Sequence, residues 1–534
     1  MSGFRKPEQP RDQGVLFPLR LDESLSEDHP ARHLLAILES PSFEGPLRKM
    51  VRSYRLSEGR PPYHPKYMVA LYLYGMMSRV RSSRQLENAC HHRIDFMWLM
   101  EGQKPDHTTI HGFVHRHKKV LPELFRKVLE VGALAGLVKL RGVAVDGTLV
   151  RANAAIGSVK RREKIKELAA KVDETAKAME KDWEAQEAAD EAVFGQDADD
   201  MVPPRHKDAA TRDAALRERK ARLDEALAVI DRRVEDSEHP DATKAKTSTT
   251  DPESRFLKGK DGTKRPHFNA QVAVDIDSGM VVADGVTDSA NDFGQLTPMI
   301  EKVEANCGRL PETAVADSGY TTGAELERAE AMQVKALLPE RGQPKAGDSD
   351  EQEALRSKIA QGEALTESEL DALPVYPNGL FGKRAFVYDK EADGYRCPMG
   401  VFLAYSKTTK DKKRGGVSKR REYGGAPECA ECPLAARCYK SKKKMRTVSR
   451  DQYEHHRERS RERMMSEAGK KLYAARAPVA ERPFAQVKGN CGINRFLRRG
   501  LEQVRLEWSL LMSAINLSVL ISNWDKTEKA LKGA

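Results

Sequence analysis

The chain has 534 residues, enough for three or four domains of ordinary size. Its 91 Lys and Arg against 80 Asp and Glu give a formal net charge of +11 and an isoelectric point near 9.1, so a polyanion is the first candidate partner. Seven cysteines, an odd number, argue against a disulfide framework and against secretion.

Residues 1–140 predict a helical N-terminal domain. The first twenty residues are polar and lack the order of a signal peptide, so we expect a cytoplasmic protein. A buried helix is predicted from Tyr67, after three prolines, and two further helices begin at the caps Ser82 and Asp106. The last of these carries cations across residues 111–119, His117 among them.

Two short helices joined by a turn, the second one basic, are typical of a helix-turn-helix. The alternative is a plain helical bundle with a solvated basic face. The pair His111 and His115 could ligate a metal, but a DNA-facing helix fits better because no Glu stands between them. The residues predicted to contact DNA are Arg84, Thr108, Thr109, His111, His115, Arg116, Lys118 and Lys119.

Residues 141–155 predict the first strand of a central sheet. The apolar run before Asp146 stops at turn-forming residues, so we expect this carboxylate at the end of a buried strand. Residues 156–262 then form a charged insertion, which is dense in Lys, Arg, Glu, Asp and Ala. It is predicted to be helical and partly coiled-coil-like, or partly disordered.

Strand periodicity returns over residues 263–340. A hairpin is predicted from residues 267–275 and 280–287 with a turn at Gly279, followed by a helix over 295–307. A strand ending at Asp317, a helix near 323–332 and a strand over 334–339 complete the segment. This order predicts a mixed sheet covered by helices, and therefore an α/β core rather than a bundle.

Residues 341–464 form a basic insertion that carries four cysteines. Its section 406–450 has 15 Lys or Arg against 4 Asp or Glu. Cys397, Cys429, Cys432 and Cys438 make a candidate structural zinc site, because four thiolates satisfy tetrahedral Zn²⁺; the alternative is reduced thiols without a metal.

Residues 465–534 are predicted to be helical. The apolar run over 508–521 is too short and too polar to span a bilayer. No glycine-rich phosphate loop of the Gly-x4-Gly-Lys-Ser/Thr type occurs in the chain, so ATP use is not expected.

Three distant acids could form one metal site. Asp146 and Asp317 sit in matching strand contexts, and Glu481 lies among cations on a predicted helix. Phosphodiester chemistry needs an activated oxygen nucleophile and a stabilised leaving oxygen, and two divalent metals held by carboxylates supply both. The same loose criterion admits other acids as ligands, namely Asp275, Asp277, Asp284, Asp288 and Asp292, with Glu507 as the alternative to Glu481.

The segment around Glu481 adds phosphate-binding groups to this picture. Tyr473, Arg476 and Lys488 flank the Glu, and Pro478 and Pro483 are expected to bend or start the helix. Glu481 and Lys488 are two helical turns apart and therefore share a face. A carboxylate for metal beside cations for phosphate makes a candidate active-site face, and a surface salt-bridge face is the alternative.

These motifs resemble the bacterial insertion-sequence transposases of the Asp-Asp-Glu (DDE) class, which have an RNase H-like core. The resemblance covers most of the chain outside the two insertions: residues 59–63, 83–86 and 105–110 resemble the family's N-terminal domain, and those around Asp146 and Asp317 resemble its catalytic strands. Tyr473, Arg476, Glu481 and Lys488 resemble its Tyr-Arg-Glu-Lys signature, with four residues instead of three between the Arg and the Glu.

The resemblance implies a DNA transposase with a multidomain α/β fold. Asp146, Asp317 and Glu481 would hold two Mg²⁺ ions, with Mn²⁺ as a substitute, and Tyr473, Arg476 and Lys488 would contact the DNA backbone. The N-terminal domain would bind terminal inverted repeats, and the enzyme would join the cleaved ends to target DNA as a homodimer. It would act on the bacterial nucleoid in the cytoplasm, without ATP and without a membrane.

Two other functions remain open. A non-catalytic DNA-binding protein, either a regulator or a domesticated transposase, would keep recognition alone. A metal-dependent nuclease would hydrolyse DNA without joining it. Mg²⁺-dependent cleavage distinguishes the transposase from the first, and joined product distinguishes it from the second.

Overall fold

The computed structural model describes residues 20–54, 61–194, 205–236, 244–259, 261–339, 350–376, 378–413, 416–440, 445–490 and 493–533. Parts of the predicted motifs lie outside these ranges, including Gly59, Arg60 and Cys491. The chain divides into two compact units. Unit 1 comprises Met1–Lys139, Arg482–Arg498 and Glu502–Ala534, and unit 2 comprises Leu140–Glu481 and Arg499–Leu501. This division is coarser than the five predicted segments, whose boundaries stay predictions.

The N-terminal part of unit 1 is helical, as predicted. Its helices are α1 (Pro30–Leu38), α2 (Pro41–Arg52), α3 (Pro65–Met77), α4 (Ser83–His92), α5 (Ile94–Leu99), α6 (His107–Arg116) and α7 (Leu121–Leu134). Helix α3 is buried on nearly every side, which confirms the buried helix predicted after the prolines.

The two predicted caps are confirmed, whereas the helices that they start are not arranged as predicted. The Ser82 hydroxyl accepts a hydrogen bond from the Gln85 N–H at 3.2 Å, and Asp106 Oδ1 accepts one from the Thr109 N–H at 2.9 Å. However, α5 lies between α4 and α6, so these helices are not joined by a simple turn. Helix α6 also ends at Arg116, so it does not extend to residue 119.

Unit 2 contains a six-stranded mixed sheet, and the predicted mixed α/β fold is confirmed. Its first elements are β1 (Val143–Arg151), β2 (Val159–Arg161), α8 (Arg162–Phe194), α9 (Arg205–Glu235), β3 (Lys246–Ser248) and β4 (Arg255–Lys258). They are followed by β5 (Lys264–Asp275), β6 (Val281–Thr287), α10 (Leu296–Cys307), β7 (Thr313–Val315), α11 (Gly323–Ala331) and β8 (Lys335–Leu337).

Strand β1 lies at the centre of this sheet. It pairs antiparallel with β5 along its whole length and parallel with β7, which in turn pairs parallel with β8. Strands β4 and β6 both pair antiparallel with β5. The predicted hairpin of β5 and β6 is confirmed, and Gly279 in its turn has a φ of +72° that suits glycine.

The two insertions have structures of their own. Helices α8 and α9 pack together around a small apolar core near their base, which confirms the helical prediction. The second insertion contains α12 (Asp350–Ala360), α13 (Glu367–Asp371), β9 (Val387–Asp389), β10 (Gly394–Arg396), β11 (Phe402–Lys413), β12 (Gly416–Gly424), α14 (Ala435–Cys438) and β13 (Thr447–Asp451). Its five strands form one antiparallel sheet over a separate core.

The C-terminal part is helical, as predicted, with α15 (Glu454–Met465), α16 (Glu467–Ala485), a π-helical turn (Gln486–Asn490), α17 (Leu501–Ser522) and α18 (Trp524–Gly533). Helix α16 runs through both prolines, and the boundary between the two units follows Glu481 within it. Helix α17 is longer than the predicted apolar run. By length and composition it could cross a membrane, but 78% of its most apolar stretch is buried, as in the core helix of a soluble protein.

Candidate active site

Asp146 lies within β1, not at its end. The strand continues for five residues beyond it, so the predicted strand end is wrong. Asp-Gly-Thr is typical of a turn, but here these residues pair in register with β5, Asp146 opposite Val272 and Gly147 opposite Gln271. Non-local pairing has overridden the local preference of the sequence.

Asp146 faces a cation on α16. Nη1 of Arg476 lies 3.8 Å from Oδ2 of Asp146, and both side chains are largely buried. Burial raises the pKa of Asp146 to about 6; the Gly147 N–H and Arg476 oppose this rise, and the charges of Asp317 and Asp292 add to it. A desolvated carboxylate with acidic neighbours is a group that a bound cation would favour.

Asp317 follows the parallel neighbour of β1. Strand β7 pairs Ala314 with Val143 and Val315 with Ala144, so Asp317 comes just after β7 on the strand next to Asp146. Its Oδ1 accepts a hydrogen bond from the Gly319 N–H at 2.7 Å. Asp146 on β1 and Asp317 just after β7 therefore come from neighbouring strands.

A third aspartate, Asp292, joins the two predicted ones. Burial raises the pKa of Tyr320, and the charges of Asp292, Asp146 and Asp317 all raise it further. A Cβ at Gly319 would lie 2.9 Å from Oδ1 of Asp317 and 3.5 Å from Oδ2 of Asp292. Only glycine fits between these carboxylates without displacing one of them.

Polar side chains of β5 hold Asp292 in place. Its Oδ1 accepts hydrogen bonds from Gln271 Nε2 at 2.7 Å and Asn269 Nδ2 at 2.8 Å, and Gln271 Oε1 accepts one from the Tyr320 hydroxyl. Gln271 pairs with Gly147, the residue next to Asp146. The amides of β5 therefore fix Asp292 next to the strand that carries Asp146.

Sequence reasoning admitted Asp292 only as one of several loosely eligible acids. A sharper signal was available in β5, where Asn269 and Gln271 place amides on one face of the strand, alternating with the apolar residues Phe268, Ala270 and Val272. Two amides with a common orientation on a buried strand indicate a polar partner nearby.

The other eligible acids have structural contacts. Asp275 accepts hydrogen bonds from the N–H groups of Leu140, Asp277 and Ser278, and Asp277 pairs with Arg141. Asp288 pairs with Arg233 at 3.1 Å. Asp284 contributes its backbone carbonyl to Lys302.

Glu481 lies on α16 but on a different side from Arg476. Five residues correspond to a rotation of roughly 140° around an α-helix. The four-residue step from Arg476 leads instead to Ala480, which is fully buried, whereas Glu481 is exposed. The extra residue between the Arg and the Glu thus turns the carboxylate away from the direction of Arg476.

Tyr473 and Arg476 together face the acidic cluster. Burial raises the pKa of Tyr473, while Arg476 lowers it and Asp317 raises it, which places all three groups close together. Arg476 lies 5.8 Å from the Tyr473 ring centre. Its Nε is buried and has no hydrogen-bond partner within the described part of the chain.

The acidic cluster suits a hard divalent cation by the chemistry of its donors. Aspartate oxygens are the ligands that Mg²⁺ prefers, and burial disfavours the charged form of Asp146, whose pKa it raises to about 6. Within the described ranges, no three His, Cys, Asp or Glu side chains stand close enough to hold a metal ion as they are. The donor set fits, and binding would require the carboxylates to move closer together.

Comparison with protein families identifies two parts of the chain. Residues 396–521 match the Transposase DDE domain, and residues 19–116 match the Transposase domain (DUF772). The two matches indicate an insertion-sequence transposase of the DDE class. No curated protein and no solved structure matches it.

The matched ranges of this transposase contain some of the predicted site residues and not others. The DDE match contains Tyr473, Arg476, Glu481 and Lys488, and it also covers the four cysteines of the second insertion. Asp146 and Asp317 lie between the two matches, so their assignment depends on the geometry of the central sheet.

Most residues predicted to contact DNA are at the surface of unit 1. Exposed ones are Arg84, Thr108, Thr109, His111, His115, Arg116 and Lys119. Arg116 stacks over the Tyr54 ring at 4.8 Å, and Lys118 lies 3.5 Å from Glu502. The Thr109 hydroxyl donates to Asp106 at 2.7 Å, so it belongs to the helix cap.

His117 was expected among the DNA-facing cations, and this is wrong. It is buried, and a ring nitrogen lies 3.0 Å from the Tyr54 hydroxyl. Burial, with the nearby charge of Arg116, lowers the pKa of His117 to about 4. A neutral, buried imidazole contributes to packing in unit 1, not to a basic surface.

Lys488 and Glu507 both belong to unit 1. Lys488 lies in the π-helical turn, and π-helical turns in proteins are often found at functional sites. Glu507 is buried: it pairs with Arg81 at 2.5 Å and accepts hydrogen bonds from the N–H groups of Leu497 and Arg498. Its carboxylate therefore has a structural role in the start of α17.

The four cysteines of the second insertion gather at one place. Cys397, Cys429, Cys432 and Cys438 line a single cavity of about 30 Å³. Burial raises the pKa of Cys438 to about 12; Arg446 opposes this rise, and the other three thiols add to it. All four are free thiols.

Proposed function

We propose that this transposase cleaves DNA at the ends of an insertion sequence and joins the freed 3′ ends to target DNA. The observation that carries the proposal is the meeting of Asp146 and Asp317 on neighbouring strands opposite Arg476 of α16. Phosphodiester chemistry needs carboxylates for metal and a cation for phosphate on one face, and this arrangement supplies both.

Asp146, Asp317 and Glu481 would hold Mg²⁺, with Asp292 adding negative charge beside them. Two Mg²⁺ ions, or Mn²⁺ in their place, would activate the attacking oxygen and stabilise the leaving one. The burial of the Asp146 carboxylate, which raises its pKa, supports this role because a bound cation would favour the charged form. The exposed position of Glu481 leaves its carboxylate free to turn towards a bound ion or substrate.

Arg476 and Tyr473 would orient the DNA backbone. The buried Nε of Arg476 lacks a partner in the described structure, and a guanidinium N–H in that state is suited to a phosphate oxygen. Lys488 would add a further phosphate contact from its helical turn. Arg476 and Tyr473 hold the scissile phosphate, and Asp146 and Asp317 provide the oxygen ligands.

The two units would have separate tasks. Exposed cations of unit 1 support recognition of terminal inverted repeats. Three antiparallel strands followed by two parallel ones support an RNase H-like core in unit 2. The enzyme would work as a homodimer that bridges two element ends, on nucleoid DNA in the cytoplasm.

Cleavage and strand transfer with purified protein test the proposal. The substrate is linear DNA with the repeats that flank the native gene, incubated with Mg²⁺ or Mn²⁺. We expect nicks at the repeat ends followed by joined product, and loss of both in Glu481→Gln. Glu467→Gln is a matched control, because Glu467 is an exposed glutamate at the start of the same helix.

Each other result would indicate a different function. Specific binding to the repeats without cleavage by the wild-type chain would identify a non-catalytic DNA-binding protein. Cleavage without joined product would identify a nuclease. Cleavage that survives in Glu481→Gln but not in Asp146→Asn would remove Glu481 from the site and retain the aspartates.

A further inference from the structure

The second insertion of unit 2 has a small core for its size. Its five-stranded sheet, β9 to β13, covers one cluster of buried apolar residues, and Cys397, Cys429 and Cys438 pack against that cluster. Strands β9 and β10 have only three residues each. Small modules with short strands and a limited core often depend on a metal or on disulfides for stability.

The cysteines approach the cavity from two separate segments. Cys397 lies in the tight turn between β10 and β11, where its N–H donates to the Val401 carbonyl at 2.9 Å and the Gly400 N–H donates to the Cys397 carbonyl at 2.8 Å. Gly400 has a φ of +74°, which closes the turn. The N–H groups of Met399 and Val401 also donate to the Cys397 sulfur.

The other three thiols come from the segment between β12 and β13. Cys429 lies within a short helical turn, Cys432 directly follows it, and Cys438 ends α14. The Cys429 carbonyl accepts a hydrogen bond from the Tyr439 hydroxyl at 2.7 Å, and the Cys438 carbonyl accepts one from Arg446 at 2.9 Å. Both backbone contacts fix this segment against the cavity.

The size and lining of the cavity restrict its occupant. About 30 Å³ is enough for a single ion and too little for an iron–sulfur cluster or an organic cofactor. The nearby side chains of Phe386, Val401 and Leu403 are apolar, and Arg446 supplies a positive charge that would offset thiolates. Four sulfur ligands around one small site are the donor set of structural Zn²⁺.

We propose that Cys397, Cys429, Cys432 and Cys438 bind one structural Zn²⁺ ion that fastens the β10–β11 turn to the segment after β12. No three ligand side chains of the described structure stand at metal-binding distance of a common point. Binding would therefore draw the thiols inward, which rotation about their χ1 bonds permits. The proton of each thiol is released to solvent as its sulfur binds.

The ion would stabilise the sheet that carries the most basic hairpin of the protein. Strands β11 and β12 pair from Tyr405 opposite Tyr423 to Lys413 opposite Gly416, and this hairpin is rich in Lys and Arg. With the β10–β11 turn held by the ion, the hairpin would keep a fixed orientation relative to the rest of the sheet. This site is distinct from the acidic cluster and does not depend on the proposed transposition chemistry.

Metal analysis of the purified full chain tests the proposal. We expect one zinc per chain by elemental analysis, and loss of that zinc in the double variant Cys429→Ser/Cys432→Ser. Cys307→Ser is the matched control, because Cys307 is a partly buried thiol outside the cavity, and it should retain the full content. Replacement of zinc by Co²⁺ should give visible bands of tetrahedral thiolate coordination.

Hydrogen exchange of the wild-type chain tests the proposal even if the double variant fails to fold. Removal of zinc from the wild-type chain by a chelator should increase exchange in β9 to β13 and leave β1 and β5 unchanged. A zinc-free wild-type protein, purified with zinc present, would overturn the proposal. So would disulfides between these cysteines, or thiol reagent reacting with all four at the rate seen for unfolded protein.

Discussion

Oδ1 of Asp292 lies 2.7 Å from Nε2 of Gln271, so an acidic loop is joined to the strand beside the one that carries Asp146. The bond places a third carboxylate next to Asp317 and raises the pKa of Asp146 through its charge. The acidic cluster of this transposase therefore combines a strand carboxylate that faces Arg476 with a loop carboxylate that is held by a β5 amide.

Replacement of Asp292 by Asn should weaken metal binding more than it weakens folding. The amide oxygen can still accept from Gln271, but one negative charge is lost. Groups around metal ligands typically change affinity about 10–100-fold, so the Mg²⁺ concentration for half-maximal cleavage should rise within that range. Cleavage titrated with Mg²⁺ measures this, with Asp284→Asn on the adjacent β6 as control. An unchanged titration curve would mean that Asp292 has no influence on the metal.

Gly147→Ala should disrupt the same cluster by steric conflict. A Cβ at this position would lie 2.4 Å from Gln271 Nε2 and 2.6 Å from Asp292 Oδ1, and both groups are fixed by hydrogen bonds. Overpacking of this kind costs about 1–3 kcal/mol, so we expect a lower denaturation midpoint together with loss of cleavage. Gly157→Ala is the control, because no atom lies within 4 Å of its added Cβ. Wild-type stability in Gly147→Ala would contradict the tight contact.

Asp146→Asn should stabilise the metal-free protein at neutral pH. The native pKa of Asp146 is about 6 against an ordinary value of 3.8, so the folded chain binds this proton more tightly than the unfolded chain. Ionisation therefore destabilises the fold as pH rises from about 4 to about 6, and the full cost is present above that range. From 1.36 kcal/mol per pKa unit, the gain in the variant should be about 1–3 kcal/mol.

Urea unfolding in the presence of a chelator, at neutral pH and near pH 4, measures this gain. The difference between wild type and Asp146→Asn should shrink to a small remainder near pH 4, where Asp146 is protonated in the folded chain and partly protonated in the unfolded chain. Addition of Mg²⁺ at neutral pH should stabilise the wild-type chain and have little effect on the variant. A variant less stable than wild type at neutral pH would show that the Asp146 charge is already compensated without metal.

Local features of this fold were predictable, and long-range ones were not. The caps at Ser82 and Asp106 need only a residue three positions away, and the Gly279 turn needs only its own neighbours. The end of β1 depends on pairing with β5, and the place of Asp292 depends on how the loop after β6 packs. Burial of His117 follows from its contact with Tyr54, which is distant in sequence.

The helix register at Glu481 illustrates a third case. The sequence showed four residues between Arg476 and Glu481 and so raised the question of the role of Arg476. The structure places Arg476 beside Asp146 and Glu481 on an exposed side of α16. The extra residue therefore changes the direction in which Glu481 points and leaves Arg476 in place. This direction can be calculated from helical geometry once the orientation of Arg476 is known.

Exposed cations of unit 1 should determine how strongly salt weakens DNA binding. Arg84 on α4 and Lys119 after α6 are both exposed and neither is part of a cap. Each phosphate contact contributes about 0.9 to the slope of log affinity against log salt, so Arg84→Ala and Lys119→Ala should each lower the slope by about that amount. Fluorescence anisotropy with repeat DNA over a salt series measures the slope. Lys127→Ala is the control, because Lys127 pairs with Glu130 on α7 at 2.6 Å. If Lys127→Ala changed the slope as much as the other two, the basic surface would extend beyond α4 and α6, and these helices would have no special part in recognition.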